Sequence, residues 1–381
     1  MPLRAIVIGA GWAGEGHTIA LRDAGVDVVA MCGRTPAPAH AMAGKLGIAN
    51  VRFDWRAALR EFRPDIVAIA TPAPPHAEMA IAAAQSGCHV ACDKPLAGNA
   101  ADAKAMLEAV KRARVKHAYG ATSRYGPNFI HARTLVREGL VGELCEIESL
   151  YLWPPSPVLL PFFWFHQLSQ GGGFLLNGLP HLLAQVRQVT GGDICCVAGE
   201  ARRLFTRAPV GPPIHDFRDL FRLGIDPREA EKGEWAEVDA DFAATVMARF
   251  RVPGGGLASA VFEASARAVH PHPNYLAVHG TAGTLFLSGA LWPEERIQHY
   301  DLKRSEWQDV EVPVSVAAAL PQVEDRVQRD WNQFYREFVA DVRDEGYLGY
   351  PTFRDGWVDA EVAEIVRSGR SWTRLPSDPT D

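Results

Sequence analysis

The stretch Gly9-Ala10-Gly11-Trp12-Ala13-Gly14 limits what this chain can fold into more than any other. It lies between Ala5-Ile6-Val7-Ile8, an apolar run of buried-strand character, and a segment from Trp12 to Ala24 that reads as a helix closed by Gly25. In a G-x-G-x-x-G turn of this kind the first glycine permits the tight bend and the second lets backbone approach a pyrophosphate. The third allows the helix to pack closely on the strand. Backbone amides at the helix start then face an anion. Gly9, Gly11, Trp12, Ala13 and Gly14 are therefore expected to cradle a dinucleotide.

The pattern that follows agrees with that turn. Short apolar runs alternate with amphipathic stretches over the first ~120 residues, as in βαβ units. Asp27 to Met31, Val51 to Phe53, Asp65 to Ala70 and His89 to Cys92 read as further strands. Helices are expected near Ala39 to Leu46, after an Asp54 cap, from His76 to Gln85, and from an Asn99 cap to Arg112. An N-terminal Rossmann domain with a doubly wound parallel sheet is assigned to residues 1–122.

Beyond Ser123 the pattern changes. A helix from Phe129 to Glu138 leads into an extended run from Leu144 to Trp153. Later strands pair through glycine turns at Gly254-Gly255-Gly256 and Gly280-Thr281-Ala282-Gly283. Residues 123–381 are expected to form an α+β domain with a largely antiparallel open sheet, serving substrate binding and oligomerisation. Arg207 to Trp235, rich in proline and mixed charge, reads as an insert.

Composition excludes several classes. With 48% apolar and 22% charged residues the chain is globular, and 381 residues suit two domains. Its net charge of −6 offers no field for nucleic acid. No signal-peptide pattern opens the chain, and no run nears the ~20 apolar residues of a membrane span. The six cysteines show no CxxC pair, so neither a metal site nor a disulfide framework is expected, and a cytoplasmic location is. Cys195-Cys196 is expected to be buried packing.

Three places at strand ends carry candidate contacts. The second strand ends in Cys32-Gly33-Arg34-Thr35, without the acid that usually holds a ribose diol. Arg34 and Thr35 suit a 2′-phosphate instead, so the expected cofactor is NADP, with NAD possible. Thr71-Pro72 closes the fourth strand, with His76 at the next helix start. Asp93-Lys94-Pro95 closes the fifth, placing a lysine where a nicotinamide and a substrate hydroxyl would meet.

From Gly9–Gly14, Ala70-Thr71-Pro72 with His76, and Gly87 to Ala97 around Asp93-Lys94-Pro95, the chain resembles the Gfo/Idh/MocA oxidoreductases. Arg124-Tyr125-Gly126-Pro127, Gly139 to Gly142, Gly171-Gly172-Gly173 with His181, and His279 to Leu285 extend the resemblance over nearly the whole chain. It implies that Lys94 is the lysine of the family's E-K-P motif, with Asp93 replacing the usual glutamate, and that His181 is the active-site histidine. The usual aspartate four residues earlier is Asn177, and Ala184 stands where another aspartate is often found. Pro180 restricts Leu179, so the helix is expected to begin near His181 and not at Phe174.

The implied activity is hydride transfer between nicotinamide and a sugar, polyol or related cyclic alcohol or ketone. Lys94 and His181 would handle the proton, and Asn177 would anchor substrate. A homo-oligomer, dimer or tetramer, is expected because the open sheet needs a cover. Two other readings stay open: a dinucleotide-retaining glycosidase or lyase using transient oxidation, and a non-catalytic sensor. Trp153 and Phe162 to Phe165 suit either a sugar-site wall or core packing.

Overall fold

The computed structural model describes residues 2–153, 159–212, 214, 218, 223–267, 274–288 and 295–376. Part of the expected insert, at 213, 215–217 and 219–222, therefore lies outside the described residues. The chain opens with β1 (Arg4–Ile8), α1 (Trp12–Asp23), β2 (Asp27–Cys32), α2 (Pro36–Lys45) and β3 (Val51–Arg52). There follow α3 (Trp55–Phe62), β4 (Ile66–Ile69), α4 (His76–Gln85), β5 (His89–Asp93), α5 (Ala100–Ala113) and β6 (His117–Gly120). All six strands are parallel, in the order β3-β2-β1-β4-β5-β6. Strand order therefore reverses between β1 and β4, the point at which open α/β sheets take ligands.

Local chemistry sets the helix starts. The Asp54 carboxylate accepts from Arg56 N at 2.9 Å, and the Asn99 side chain accepts from Asp102 N at 2.8 Å. Each such cap contributes about 1 kcal/mol. Helices α2 and α6 (Pro127–Arg137) begin two or three residues before the expected positions, each with proline in the first turn. That turn needs no amide from the ring nitrogen, so proline opens a helix there at no cost in hydrogen bonding.

The second half contains β7 (Leu144–Leu152), α7 (Phe174–Asn177), α8 (Leu179–Thr190), β8 (Asp193–Arg202), β9 (Arg207–Pro209), α9 (Pro227–Ala230) and β10 (Trp235–Glu237). Next come β11 (Ala243–Arg251), β12 (Leu257–Ser265), β13 (Tyr275–Gly280), β14 (Gly283–Ser288), β15 (Arg296–Asp301), β16 (Glu306–Val310) and α10 (Val314–Ala319). The chain continues through α11 (Arg326–Val342), α12 (Phe353–Arg367) and β17 (Thr373–Arg374). Nine strands form a sheet ordered β16-β15-β14-β13-β7-β12-β11-β8-β17, in which only the β7–β12 pair is parallel. No helix among the described residues is long and apolar enough to cross a membrane.

Two expectations need correction. The helix that carries His181, α8, begins at Leu179 with Pro180 in its first turn, near the expected place, but a separate single turn, α7, does begin at Phe174. The cysteine pair is only half-buried, because β8 bulges where Arg249 faces Cys196 and Phe250 faces Ile194. Cys195 has no partner in that register, and its thiol donates to Arg249 O at 3.3 Å.

The last helices return to the first sheet. Helix α11 lies along α1, with Phe334, Tyr335 and Phe338 fully buried in one core with Val7, Leu21 and Ala68. At roughly 2 kcal/mol per buried side chain, these three rings alone fix α11 in place. Helix α12 packs on α5 and β8. Through it a single core runs from Ile6, Val67 and Val90 to Val197 and Phe250 of the second sheet.

The α1–α11 contact depends on Gly16, where an added Cβ would stand 2.1 Å from the Trp331 ring. Gly16→Ala is expected to destabilise the protein by roughly 1–3 kcal/mol, since overpacking forces a buried ring to move. A lowered denaturant midpoint with unchanged slope would show this, and an unchanged midpoint would mean that the ring is free to shift.

Candidate active site

The groove is built on backbone. Gly9 has φ +129°, and a Cβ there would lie 2.3 Å from Ala70 O. A Cβ on Gly14 would lie 2.0 Å from Gly9 O. Only glycine allows β1, the turn and β4 to close up in this way. The first turn of α1 opens above them, and Thr71 Oγ1 at the end of β4 is buried without a hydrogen-bond partner among the described residues. A glycine-lined turn, free helix amides and an orphaned hydroxyl fit the phosphates of a dinucleotide.

Glu15 lies in that first turn, where its carboxylate meets Lys45 Nζ at 2.6 Å and Arg218 at 2.9 Å. Burial raises its pKa, but the two cations outweigh burial and keep it below the usual carboxylate value. Trp12 packs on Trp331, with ring centroids 5.1 Å apart. Ala13 is half-buried beside them, and Arg34 and Thr35 are exposed at the end of β2. Pro72 is exposed at the groove's rim.

His76 is sealed. Its Nε2 lies 2.7 Å from Thr71 O, and Nδ1 faces Pro95 and Leu96 O at 3.0 and 3.2 Å with the Cys92 thiol at 3.3 Å. Burial, opposed by these carbonyls, lowers its pKa and keeps the ring neutral. With no exposed surface, its part is to pin the end of β4 to the loop that carries Lys94.

Asp93 and Lys94 sit at the carboxyl end of β5. The Asp93 carboxylate accepts from Lys94 N at 2.9 Å, and His17 Nε2 stands 3.8 Å away. Burial works against the Asp93 anion, yet His17 and Lys94 hold its pKa below the usual value. His17 is itself held by Tyr335 of α11, with Nδ1 2.6 Å from the phenol oxygen. Lys94 is half-buried, and burial pushes its ammonium pKa down despite Asp93. Its Nζ has no hydrogen bond or ion pair among the described residues and so is available to substrate.

His181 stands in the first turn of α8, close enough to Lys94 for the lysine charge to act on it. Burial first, and then that charge, lower its pKa to about 3. Its Nδ1 lies 3.0 Å from Ser123 Oγ. Asn177, at the end of α7, does not touch the histidine. Both of its amide hydrogens go to backbone, at 2.9 Å to Gly171 O and 2.9 Å to Gly173 O, and Oδ1 is left buried without a partner. Asp241 caps α7 through Leu175 N at 2.7 Å and is clamped by Arg367 of α12.

His17 and Ser123 were not evident in the sequence reading. His17 had one available signal, its place a helical turn after Gly14 on the inward face of α1. Ser123 had none, because its partner lies 58 residues away. The aromatic cluster packs as a satellite core, with Phe163 and Phe165 buried against Phe242 and with Trp153 stacked on Phe165. Among the described residues no group of three or more His, Cys, Asp or Glu side chains could hold a metal ion.

Fold and groove together define a dinucleotide-binding α/β protein with an appended sheet domain. Comparison gives the family. The family model described as "Oxidoreductase family, NAD-binding Rossmann fold" matches residues 3–121, and the GFO/IDH/MocA C-terminal domain matches residues 129–286. The chain belongs to the Gfo/Idh/MocA oxidoreductase family. Levoglucosan dehydrogenase of Pseudarthrobacter phenanthrenivorans is 30% identical over 66% of this chain and 62% of its own length. D-glucoside 3-dehydrogenase of Escherichia coli is 30% identical over 50% of this chain and 54% of its own. The chain thus matches less than two thirds of the length of these curated relatives.

Among solved structures, an oxidoreductase domain protein from Kribbella flavida superimposes with TM-score 0.81 at 28% identity, over 99% of this chain and 100% of that one. Levoglucosan dehydrogenase in complex with NADH and L-sorbose shares the fold at TM-score 0.82 and 22% identity, over the whole of both chains.

The bonding of Asn177 yields a prediction. An aspartate there would turn two donor contacts into an anion facing two carbonyl oxygens. Asn177→Asp is expected to lower stability by about 1–3 kcal/mol and not to raise turnover. Thermal unfolding and steady-state rates measure both, and a faster enzyme of unchanged stability would contradict the assignment.

Proposed function

We propose that this chain is an NAD(P)-dependent dehydrogenase or reductase acting on a CH–OH group of a sugar, polyol or related cyclic alcohol. The observation that carries this reading is the unpaired, pKa-lowered Lys94 amine at the switch-point groove, with His181 within reach of its charge. The substrate class is supported by relatives named levoglucosan, D-glucoside and inositol dehydrogenases. Gly9, Gly11, Trp12, Ala13 and Gly14 would hold the pyrophosphate, with Thr71, Pro72 and the Asp93–Lys94 loop beside the nicotinamide. The dinucleotide, when bound, supplies the hydride acceptor or donor.

What the protein supplies is proton control. In oxidation the neutral Lys94 Nζ takes the hydroxyl proton, and in reduction its ammonium polarises the carbonyl and returns that proton. A lysine at its ordinary value of 10.5 would be almost wholly charged at neutral pH, and burial moves the amine from there towards its neutral form. His181, uncharged down to about pH 3, serves as a neutral hydrogen-bonding partner to the substrate.

Arg34 and Thr35 support a preference for NADP. Both are exposed at the end of β2, and no acid stands there to hold a ribose diol. A second copy of the chain is assigned to the open face of the nine-stranded sheet. There Met247 and Val261 pair across strands at 43% and 45% exposure, next to Leu257 at 62%.

Two tests follow from the chemistry. Lys94→Ala is expected to lower turnover at least ~100-fold while cofactor binding persists. In the parent protein, oxidation should rise with pH through a single pKa below 10.5 and reduction should fall across the same range, with no limb near 6.5. An activity loss centred at 6.5 would assign the proton to an ordinary histidine instead. For the cofactor, one charge-assisted bond of about 1.5–3 kcal/mol means that Arg34→Ala should weaken NADP roughly ten- to hundredfold. NAD affinity should hardly change, and equal affinities for both cofactors in the parent would overturn the preference.

A further inference from the structure

We infer that Ser123 is the positioning residue that fixes the tautomer of His181, in place of the carboxylate that Asn177 does not provide. The inference rests on the proposed role of His181 as a neutral hydrogen-bonding partner of the substrate. It is drawn from two hydrogen bonds at one hydroxyl and a third to the backbone of the same serine.

Ser123 follows β6 in the loop that crosses from the first sheet to α6. Its Oγ lies 3.0 Å from His181 Nδ1 and 3.4 Å from the backbone oxygen of the same histidine. A hydroxyl has one proton to give. The backbone oxygen can only accept while a ring nitrogen can also donate, and both contacts are satisfied at once only when the proton goes to the carbonyl, the farther of the two. Oγ then receives the Nδ1–H of the ring. This assigns His181 the Nδ1–H tautomer and leaves a lone pair on Nε2. Gln185, one turn further along α8, donates from Nε2 to Ser123 O at 3.2 Å and holds the serine against the helix.

The rest of the site agrees with this direction. Nε2 of His181 has no hydrogen-bond partner among the described residues and is not among the sealed polar atoms. It is left for an incoming hydroxyl. Which ring nitrogen carries the proton is set by the bond that the other nitrogen makes, and here that bond is to a neutral hydroxyl. A carboxylate at the same place would stabilise an imidazolium as well as orient the ring. Ser123 orients without adding negative charge. His181 therefore stays a neutral acceptor, and the proton is left to Lys94. The division of labour follows from Asn177, whose two amide hydrogens are taken by Gly171 and Gly173.

The test is a ring-nitrogen NMR experiment on the full chain labelled at histidine, with His181→Asn identifying the signal. The parent is expected to show an Nδ1–H imidazole at position 181. Ser123→Ala should shift it towards Nε2–H, and Ser123→Thr should restore it. In kinetics, Ser123→Ala should lower kcat about tenfold, a fraction of the full general acid–base contribution, with KM within roughly twofold. Ser123→Thr should recover most of the loss.

An Nε2–H ring in the parent, or a tautomer that Ser123→Ala leaves unchanged, would overturn the inference. If the tautomer responds as expected but His181→Asn keeps parental turnover, the proposed role of His181 towards substrate fails and the assignment of Ser123 to its ring stands.

Discussion

Backbone meeting backbone at the start of the chain governs everything built on it. The carbonyl of Ala70 lies where any side chain on Gly9 would have to go, and the carbonyl of Gly9 does the same to Gly14. These approaches set the height of α1 above the ends of β1 and β4, and with it the direction of the free amides at the helix start. They also fix the distance from the groove floor to the end of β5. A lysine three strands into the sheet can serve a ligand held by the first turn because those strands are locked in register.

The second half contributes through a different device, a set of clamps on short elements. Helix α7 is a single turn with little stability of its own. It is held by Asp241 at its start, by Arg367 of α12 behind that carboxylate, and by Asn177 reaching back to the glycines. Six residues beyond His181, Arg187 pairs with Asp193 at 3.0 Å and with Asp359 at 2.8 Å. Burial drives the Asp359 carboxyl up to about 7, which the guanidinium opposes. His181 therefore sits on a helix whose far end is tied through Arg187 to α12, the helix that covers the first sheet.

This arrangement explains what could be read from sequence. The strands and helices of the first domain were legible because parallel buried strands are short apolar runs and their helices carry Asp54, Asn99 and glycine stops. Lys94 and His181 were legible because they sit at fixed distances from glycines and prolines. Less could be said where a residue's meaning depends on a partner far along the chain. His76 looked like a ligand contact and is an internal pin, Asn177 looked like a substrate anchor and grips backbone, and Ser123 gave no sign at all. The half-burial of Cys195 goes with a bulge set by the register with β11, which no local pattern encodes.

The return of α11 and α12 to the first sheet bears on how the protein is made. During synthesis the βαβ units emerge first and begin to pair, yet the face of that sheet meant for Phe334, Tyr335 and Phe338 stays bare until position 338 has left the ribosome. For most of translation the nascent chain therefore lacks the three rings that complete the core around Val7, Leu21 and Ala68. Such an unfinished core is a natural station for a chaperone, and it ties completion of the nucleotide groove to the arrival of helices encoded near the far end of the message.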